Sequence, residues 1–143
     1  DVACLALEKA MAAKELRPDN LRFVIGDAQN LGDWIKPHSI DCIYLNFSDP
    51  WPKKGYAKRR LTHRGFLELY RGLLREGGML KLETDNEGLF SFSLEEFEAA
   101  GLTVEWKTSD LHASEKACDN VMTEYECRFS EMGQVIYSAW VRF

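Results

Sequence analysis

Short apolar runs alternate along the chain with segments in which apolar residues recur every three or four positions. The runs are typical of buried strands, and the longer spacing is typical of amphipathic helices. Predicted strands cover residues 21–25, 40–47, 79–83, 102–106 and 134–143. Predicted helices cover residues 2–16 and follow Thr62, Asn86 and Thr123, with a short turn at 31–35. This alternation predicts an α/β sandwich with a mostly parallel sheet.

Residues with strong capping preferences mark the ends of the predicted helices. Thr62 is suited to an N-cap, and so are Asp85 and Asn86. Thr123 and Glu126 have capping-box spacing, in which each side chain bonds the backbone of the other residue. Glycines are expected to end the helices: Gly77-Gly78, Gly101 and Gly133.

The bulk composition is that of one soluble domain. The chain has 143 residues, of which 45% are hydrophobic, so residues 1–143 are expected to form a single domain. No apolar stretch is long enough to span a membrane, and no signal-peptide pattern is present. The four cysteines are scattered without a CxxC pair, which argues against a metal site. We therefore expect a cytoplasmic protein with reduced thiols and no metal.

Charge is distributed unevenly along the chain. The net charge is −5, yet residues 50–67 hold six cations and no acid. An acidic protein with one basic strip, here residues 50–67, indicates that this segment binds phosphate groups such as those of a nucleic acid. Alternatively, the same residues are a run of solvent-exposed charges on the protein surface.

The most informative segment follows the predicted strand over 40–47. Asp49 precedes Pro50, and Trp51 precedes Pro52, so both residues are restricted to extended conformations. A carboxylate held in this way can accept hydrogen bonds from a purine while the Trp51 ring lies near a flat base. The alternative is a rigid loop that carries a solvated acid.

Two further acids follow predicted strands. Asp27 comes after the strand over 21–25, and Asp85 after the strand over 79–83. In open α/β sheets, ligands bind beyond the carboxyl ends of the strands, so Asp27, Asp49 and Asp85 are expected along one edge. Asp27 could accept from an adenine amino group, but each of the two could equally be a cap. His38, His63 and His112 show no spacing typical of a metal site or a catalytic triad.

Three sequence blocks resemble those of the bacterial tRNA (guanine-N7-)-methyltransferases. They are Asn46–Lys54 followed by Lys58–Thr62, then Thr84-Asp85-Asn86, and finally Thr123–Glu126. The resemblance covers nearly the whole chain. It implies a Rossmann-like fold with an antiparallel last strand, S-adenosyl-L-methionine as cofactor, and methylation of a guanosine N7 in the tRNA variable loop. The protein would be a monomer or a homodimer.

Carried over by position, the resemblance implies a role for each matching residue. Asp49 would be catalytic and would contact the cofactor, and Asp27 would bind the cofactor near its adenine. The implied substrate-binding residues are Lys53, Asp85, Thr123, Glu124, Tyr125 and Glu126. The implied RNA contacts are Lys58, Arg59 and Arg60.

The chain departs from the family pattern in two ways. Gly55-Tyr56 stands where the family usually has Arg-His, which removes a cation from the basic strip. The glycine-rich loop and the acid that normally hold the cofactor are absent, and so is the central first strand. We therefore expect the sequence to be part of a longer chain and the isolated piece to bind the cofactor poorly.

Two other functions remain open at this point. An exocyclic-amine base methyltransferase would use an acid or Asn followed by two prolines and an aromatic residue, but Asp49-Pro50-Trp51 has only one proline. A noncatalytic RNA-binding module is the second alternative, provided that the missing start is natural. A nucleotide-binding dehydrogenase has no support beyond the α/β pattern.

Overall fold

A computed structural model describes residues 21–143, so the predicted helix over 2–16 lies outside the described residues. The strands are β1 (Ile40–Asn46), β2 (Leu74–Thr84), β3 (Thr103–Thr108) and β4 (Tyr137–Arg142). The α-helices are α1 (Leu31–Trp34), α2 (Arg64–Leu73), α3 (Glu87–Ala99) and α4 (Glu124–Glu131). Three 3-10 turns cover Ala28–Asn30, Lys54–Arg59 and Ala117–Asp119.

The strands form one mixed sheet in the order β1-β2-β4-β3. β1 pairs with β2 in parallel, whereas β4 is antiparallel to both β2 and β3. Three strands therefore run in one direction and the last strand runs in the other, which confirms the predicted mixed α/β sheet. The carboxyl ends of β1 and β2 lie side by side, with Asn46 opposite Glu83.

One face of the sheet carries the hydrophobic core. Leu80 and Leu82 alternate along β2 and are fully buried together with Val141 of β4. Tyr70 of α2 and Phe97 of α3 pack into the same cluster. Burial raises the pKa of the Tyr70 phenol because the charged form would lose its hydration. The core thus fixes both helices relative to the sheet.

The prediction of a strand over 21–25 is wrong. This segment has no regular secondary structure, and the side chains of Phe23 and Val24 are 44% and 63% exposed. A strand is defined by hydrogen bonds to a neighbouring strand, and none of β1 to β4 runs beside this segment. Local apolar composition alone therefore does not produce a strand here.

Several predicted boundaries moved because tertiary contacts decided them. β2 begins at Leu74, which pairs with Ile40, so Gly77-Gly78 lies within the strand and does not end α2. The N-cap of α2 is His63, not Thr62, whose buried hydroxyl accepts from Ser93 Oγ. The remaining two predicted strands correspond to β3 and the slightly shorter β4.

The other predicted helix ends are confirmed. The Asn86 side chain caps α3 by accepting from Leu89 N. Thr123 and Glu126 form the predicted capping box of α4. Gly101 and Gly133 follow α3 and α4 with φ of 67° and 71°, in the left-handed region that favours glycine.

Candidate active site

The chain makes a constrained turn where β1 ends at the carboxyl edge of the sheet. Phe47 N donates to the carbonyl oxygen of Glu83 at 2.9 Å, which ties the end of β1 to β2. Phe47 and Trp51 both have positive φ, at 54° and 41°, so the expectation of an extended conformation is wrong for Trp51. Backbone of this kind is uncommon for bulky residues and persists only where the surroundings enforce it. The turn places Asp49 outside the sheet with its carboxylate exposed.

Asp49 and Asp27 lie on two adjoining cavities. The first, of about 360 Å³, is lined by Ser48, Asp49 and the shared residues named below. The second, of about 380 Å³, is lined by Asp27 and its neighbours. The residues common to both cavities are Trp51, Arg59 and Leu61. The structure therefore brings Asp27 and Asp49 to neighbouring parts of one surface depression.

Asp27 also has a local structural role. Its Oδ1 accepts from Gln29 N at 2.9 Å and caps the 3-10 turn at Ala28–Asn30. The capping alternative considered from the sequence is therefore realised. The residue is nonetheless exposed, so its carboxylate remains accessible from the cavity.

Asp85 lies close to Tyr125 at the same edge of the sheet. Because Asn86 caps α3, Asp85 is not the cap of that helix. Burial and then the charge of Asp85 raise the pKa of the Tyr125 phenol. The Tyr125 ring lies between Phe47 and Phe129, with centroid distances of 4.7 and 4.2 Å. Tyr125 thereby connects the start of α4 to the turn that carries Asp49.

Glu126 is completely buried and bonded within the protein. Its Oε1 is 2.7 Å from His112 Nε2 and accepts from Asn120 Nδ2 at 2.6 Å. Its Oε2 accepts from Thr123 N at 3.2 Å in the capping box. Thr123 is half-buried beside it, whereas Glu124 is exposed on the first turn of α4. These contacts attach the loop after β3 to α4.

This network was not predicted from the sequence. His112 and Asn120 precede Glu126 by 14 and 6 residues in an irregular loop, where no periodic pattern links them to a helix. Glu83, at the carboxyl end of β2, is a second residue that was missed. Burial and the charge of Glu126 raise the pKa of the Glu83 carboxyl. The capping-box spacing was the only signal that pointed to this region.

The cations of the basic strip fall into different environments. Lys53 and Lys58 are exposed at or beside the 3-10 turn Lys54–Arg59. The guanidinium of Arg59 lies 4.8 Å from the ring centroid of Trp51 and 5.0 Å from that of Tyr56. Arg60 is half-buried and donates hydrogen bonds to the carbonyl oxygens of Pro50 and Trp51.

Sequence comparison identifies the family of the chain. Residues 4–139 match the family model described as "Putative methyltransferase". The chain belongs to this methyltransferase family.

Named relatives are similar over most of the chain. A tRNA (guanine-N(7)-)-methyltransferase of Streptococcus equi subsp. zooepidemicus (strain H70) is 47% identical over 136 residues, which is 95% of the chain and 63% of the relative. One of Brevibacillus brevis is 55% identical over 118 residues, which is 82% of the chain and 55% of the relative. One of Limosilactobacillus reuteri (strain DSM 20016) is 45% identical over 142 residues, which is 99% of the chain and 65% of the relative. The chain thus spans less than two thirds of these relatives' length.

One solved structure that matches the chain is a SAM dependent methyltransferase from Archaeoglobus fulgidus. The two share 11% sequence identity with a TM-score of 0.47, over 90% of this chain and 71% of the other. A TM-score of this size supports no further conclusion.

Neither a metal-binding cluster nor a membrane-spanning helix is present in the described part of this methyltransferase-family chain. Residues 21–143 contain no group of three or more His, Cys, Asp or Glu that could hold a metal ion. None of the helices within the same residues has the length and apolar character needed to cross a membrane.

Proposed function

We propose that the protein is a tRNA (guanine-N7-)-methyltransferase that uses S-adenosyl-L-methionine and acts on a guanosine of the variable loop in the cytoplasm. The observation that carries the proposal is the placement of Asp49. It stands on a constrained turn at the carboxyl edge of the sheet, beside an exposed basic strip. The family match and the names of the relatives support the same function.

The residues at the two cavities fit the proposed cofactor. S-adenosyl-L-methionine would supply a methyl group that is activated by the positive sulfonium. Asp27 and Asp49 provide carboxylates that can accept from its adenine amino group and its ammonium group. Ser48 Oγ, next to Asp49, is buried and has no hydrogen-bond partner among the described residues. A buried hydroxyl without a partner is unfavourable, so a polar ligand group beside it would stabilise the site.

The chemistry of guanine defines what Asp49 does. N7 offers a lone pair and carries no proton, so methylation there needs no general base. The Asp49 carboxylate would instead accept from N1–H or the exocyclic amine of the guanine and orient the base. It would also stabilise the positive charge that develops on the ring as N7 is methylated. Orientation of this kind is a large contribution when two reactants must meet in line.

The other side of the site would receive the RNA. Tyr125 is partly exposed near Asp85, and the two would contact the substrate together with Lys53. Thr123 and Glu124 stand at the start of the same helix. Lys58 and Arg59 would contact phosphates, and sequence-specific RNA recognition commonly uses exposed loop bases. The acceptor guanosine would leave its stack to reach Asp49, as in other base-modifying enzymes.

One experiment tests the reaction and separates the alternatives. The full-length protein is incubated with labelled S-adenosyl-L-methionine and unmodified tRNA, and the digested nucleosides are analysed. The proposal predicts labelled N7-methylguanosine. A label on an exocyclic amine would instead identify the other class of base methyltransferase. Binding of tRNA without any binding of the cofactor would identify a noncatalytic RNA-binding module.

A further inference from the structure

We propose that Arg60 is a positioning residue that fixes the backbone directly after Asp49, and not an RNA contact. The inference rests on the proposed function, because it assigns Arg60 a part in the reaction of Asp49. The inference is based on the contacts of Arg60, which differ from those of the other cations of the basic strip.

The guanidinium of Arg60 donates hydrogen bonds to the carbonyl groups of the two residues that follow Asp49. Nε donates to the carbonyl oxygen of Pro50 at 3.0 Å and to that of Trp51 at 3.3 Å. The terminal Nη2 donates to the carbonyl oxygen of Trp51 at 3.0 Å. The planar guanidinium therefore binds two consecutive carbonyl groups through charge-assisted hydrogen bonds, which are stronger than hydrogen bonds between neutral groups.

The hydrogen bonds from Arg60 act at Trp51, where the backbone conformation is unfavourable. Trp51 has φ of 41°, a conformation that L-residues with large side chains avoid. Such a conformation persists only when the surrounding structure determines it. Pro50 and Trp51 cannot supply this support themselves, because neither carbonyl belongs to a helix or strand. The bonds from Arg60 therefore hold the turn in the shape that presents Asp49.

A third contact links this turn to the core. The Arg60 guanidinium lies 4.3 Å from the ring centroid of Phe92, which belongs to α3. Since α3 packs on the sheet, Arg60 connects the Asp49 turn to the rigid part of the fold. Lys58, two residues earlier, is exposed on the 3-10 turn and suits contact with phosphates.

The test compares two variants with a matched control in the full-length protein. Arg60→Lys keeps the positive charge but loses the planar fork, and Arg60→Met loses both. The control is Arg71→Lys, since Arg71 also donates to a carbonyl oxygen, that of Ala100, and lies over an aromatic ring, that of Phe143. The measurements are kcat at saturating tRNA, the salt dependence of tRNA binding, and hydrogen exchange over residues 46–57, where the Phe47 and Tyr56 amides donate to the carbonyl oxygens of Glu83 and Lys53.

The expected pattern is specific to a positioning role. Both Arg60 variants should speed hydrogen exchange over residues 46–57 and lower kcat by about 100-fold, because small misplacements of reacting groups are costly. Arg60→Met should leave the slope of log K against log salt unchanged, whereas loss of a phosphate contact would reduce it by about 1. Arg71→Lys should match the wild type in all three measurements.

The outcomes also separate this inference from the proposed function. Unchanged hydrogen exchange in both Arg60 variants would overturn the inference, and so would a full kcat in Arg60→Lys combined with a reduced salt slope in Arg60→Met. If the wild type forms no N7-methylguanosine, the proposed function fails. If hydrogen exchange is still faster in the Arg60 variants, this result would support the role of Arg60 in holding the turn, independently of the reaction.

Discussion

A single carboxylate carries the proposed chemistry, and its surroundings make it testable. Asp49 is exposed, so it can meet a substrate, while its backbone is held by residues on both sides. A group that orients a base should affect turnover more than binding, because most of the affinity for RNA comes from phosphate contacts.

Asp49→Asn in the full-length protein should therefore lower kcat by about 100-fold, the usual cost of losing one preorganised electrostatic group. The affinity for tRNA should stay close to that of the wild type. A suitable control is Asp41→Asn, since Asp41 lies near the opposite end of β1 and pairs with Arg75 at the surface. Methyl transfer and tRNA binding are measured side by side. Equal turnover of Asp49→Asn and wild type would refute the assignment.

A second residue-scale prediction concerns the buried carboxylate of Glu126. His112→Ala removes one of its hydrogen-bond partners and should lower the free energy of unfolding by about 2 kcal/mol, as for other buried polar groups that lose a partner. Val121→Ala serves as the control, because Val121 is in the same loop but 88% exposed. Urea unfolding of the three proteins checks the difference. Indistinguishable stabilities would show that the loop is held by other contacts.

At the scale of elements, a carboxylate from α3 adds to the His63 cap at the start of α2. Glu96 of α3 is buried, and its Oε2 accepts from Arg64 N at 2.6 Å while Oε1 accepts from Arg64 Nη2 at 2.8 Å. A carboxylate at the start of a helix also interacts favourably with the helix dipole. The side-chain hydrogen bond from Arg64 is the main cause of the lowered pKa of Glu96.

This contact should make the stability depend on acid pH. A carboxyl group whose pKa is lower in the folded state stabilises the fold above its ordinary pKa near 4.5, and this contribution is lost as the pH falls through the lowered value. Glu96→Gln should therefore cost about 2 kcal/mol at pH 7 and less in acid. The neighbouring exposed Glu95→Gln should cost little at either pH. The free energy of unfolding of both variants is measured at pH 7 and in acid. Equal values for the two variants at each pH would contradict the stabilising role of Glu96.

The elements that were predicted correctly are those with strong local signals. The capping box at Thr123, the cap at Asn86 and the positive φ of Gly101 follow from the chemistry of one turn, so sequence was sufficient. The strand over 21–25 was mispredicted because pairing depends on a neighbour. The start of α2 was shifted because Thr62 bonds a distant serine.

The candidate site was predictable to a similar degree. The chain order correctly placed Asp49 and Asp85 beyond strands. Asp27 follows the segment 21–25, which is not a strand, and the structure still brings it to a cavity that adjoins that of Asp49. The contact of Arg60 with Phe92 and the contacts of Glu126 with His112 and Asn120 were not predictable. Each joins residues between 6 and 32 positions apart whose approach is decided by packing. The roles of the site residues stay predictions until they are tested.

For the whole molecule, the separation of charge is the dominant property. Six cations within residues 50–67 face solvent or the turn, while the rest of the chain is strongly acidic. Such an arrangement would attract a polyanion to one side and repel it elsewhere, which would orient the encounter.

Replacing Lys54 and Lys58 together with Gln should therefore reduce the slope of log K against log salt for tRNA binding by about 2. The control replaces Lys36 and Lys107, which are exposed outside the strip, with Gln and changes the net charge by the same amount. Its slope should match that of the wild type. If both pairs reduced the slope equally, overall charge and not the strip would determine binding.

The positive φ angles at Phe47 and Trp51 have a consequence for directed evolution. Each such conformation costs a bulky residue about 1–3 kcal/mol, which glycine or asparagine would largely avoid. A selection for heat resistance alone should therefore favour small residues at these two positions. The resulting proteins would withstand higher temperatures and turn over more slowly, because the aromatic rings and the turn beside Asp49 would be lost together.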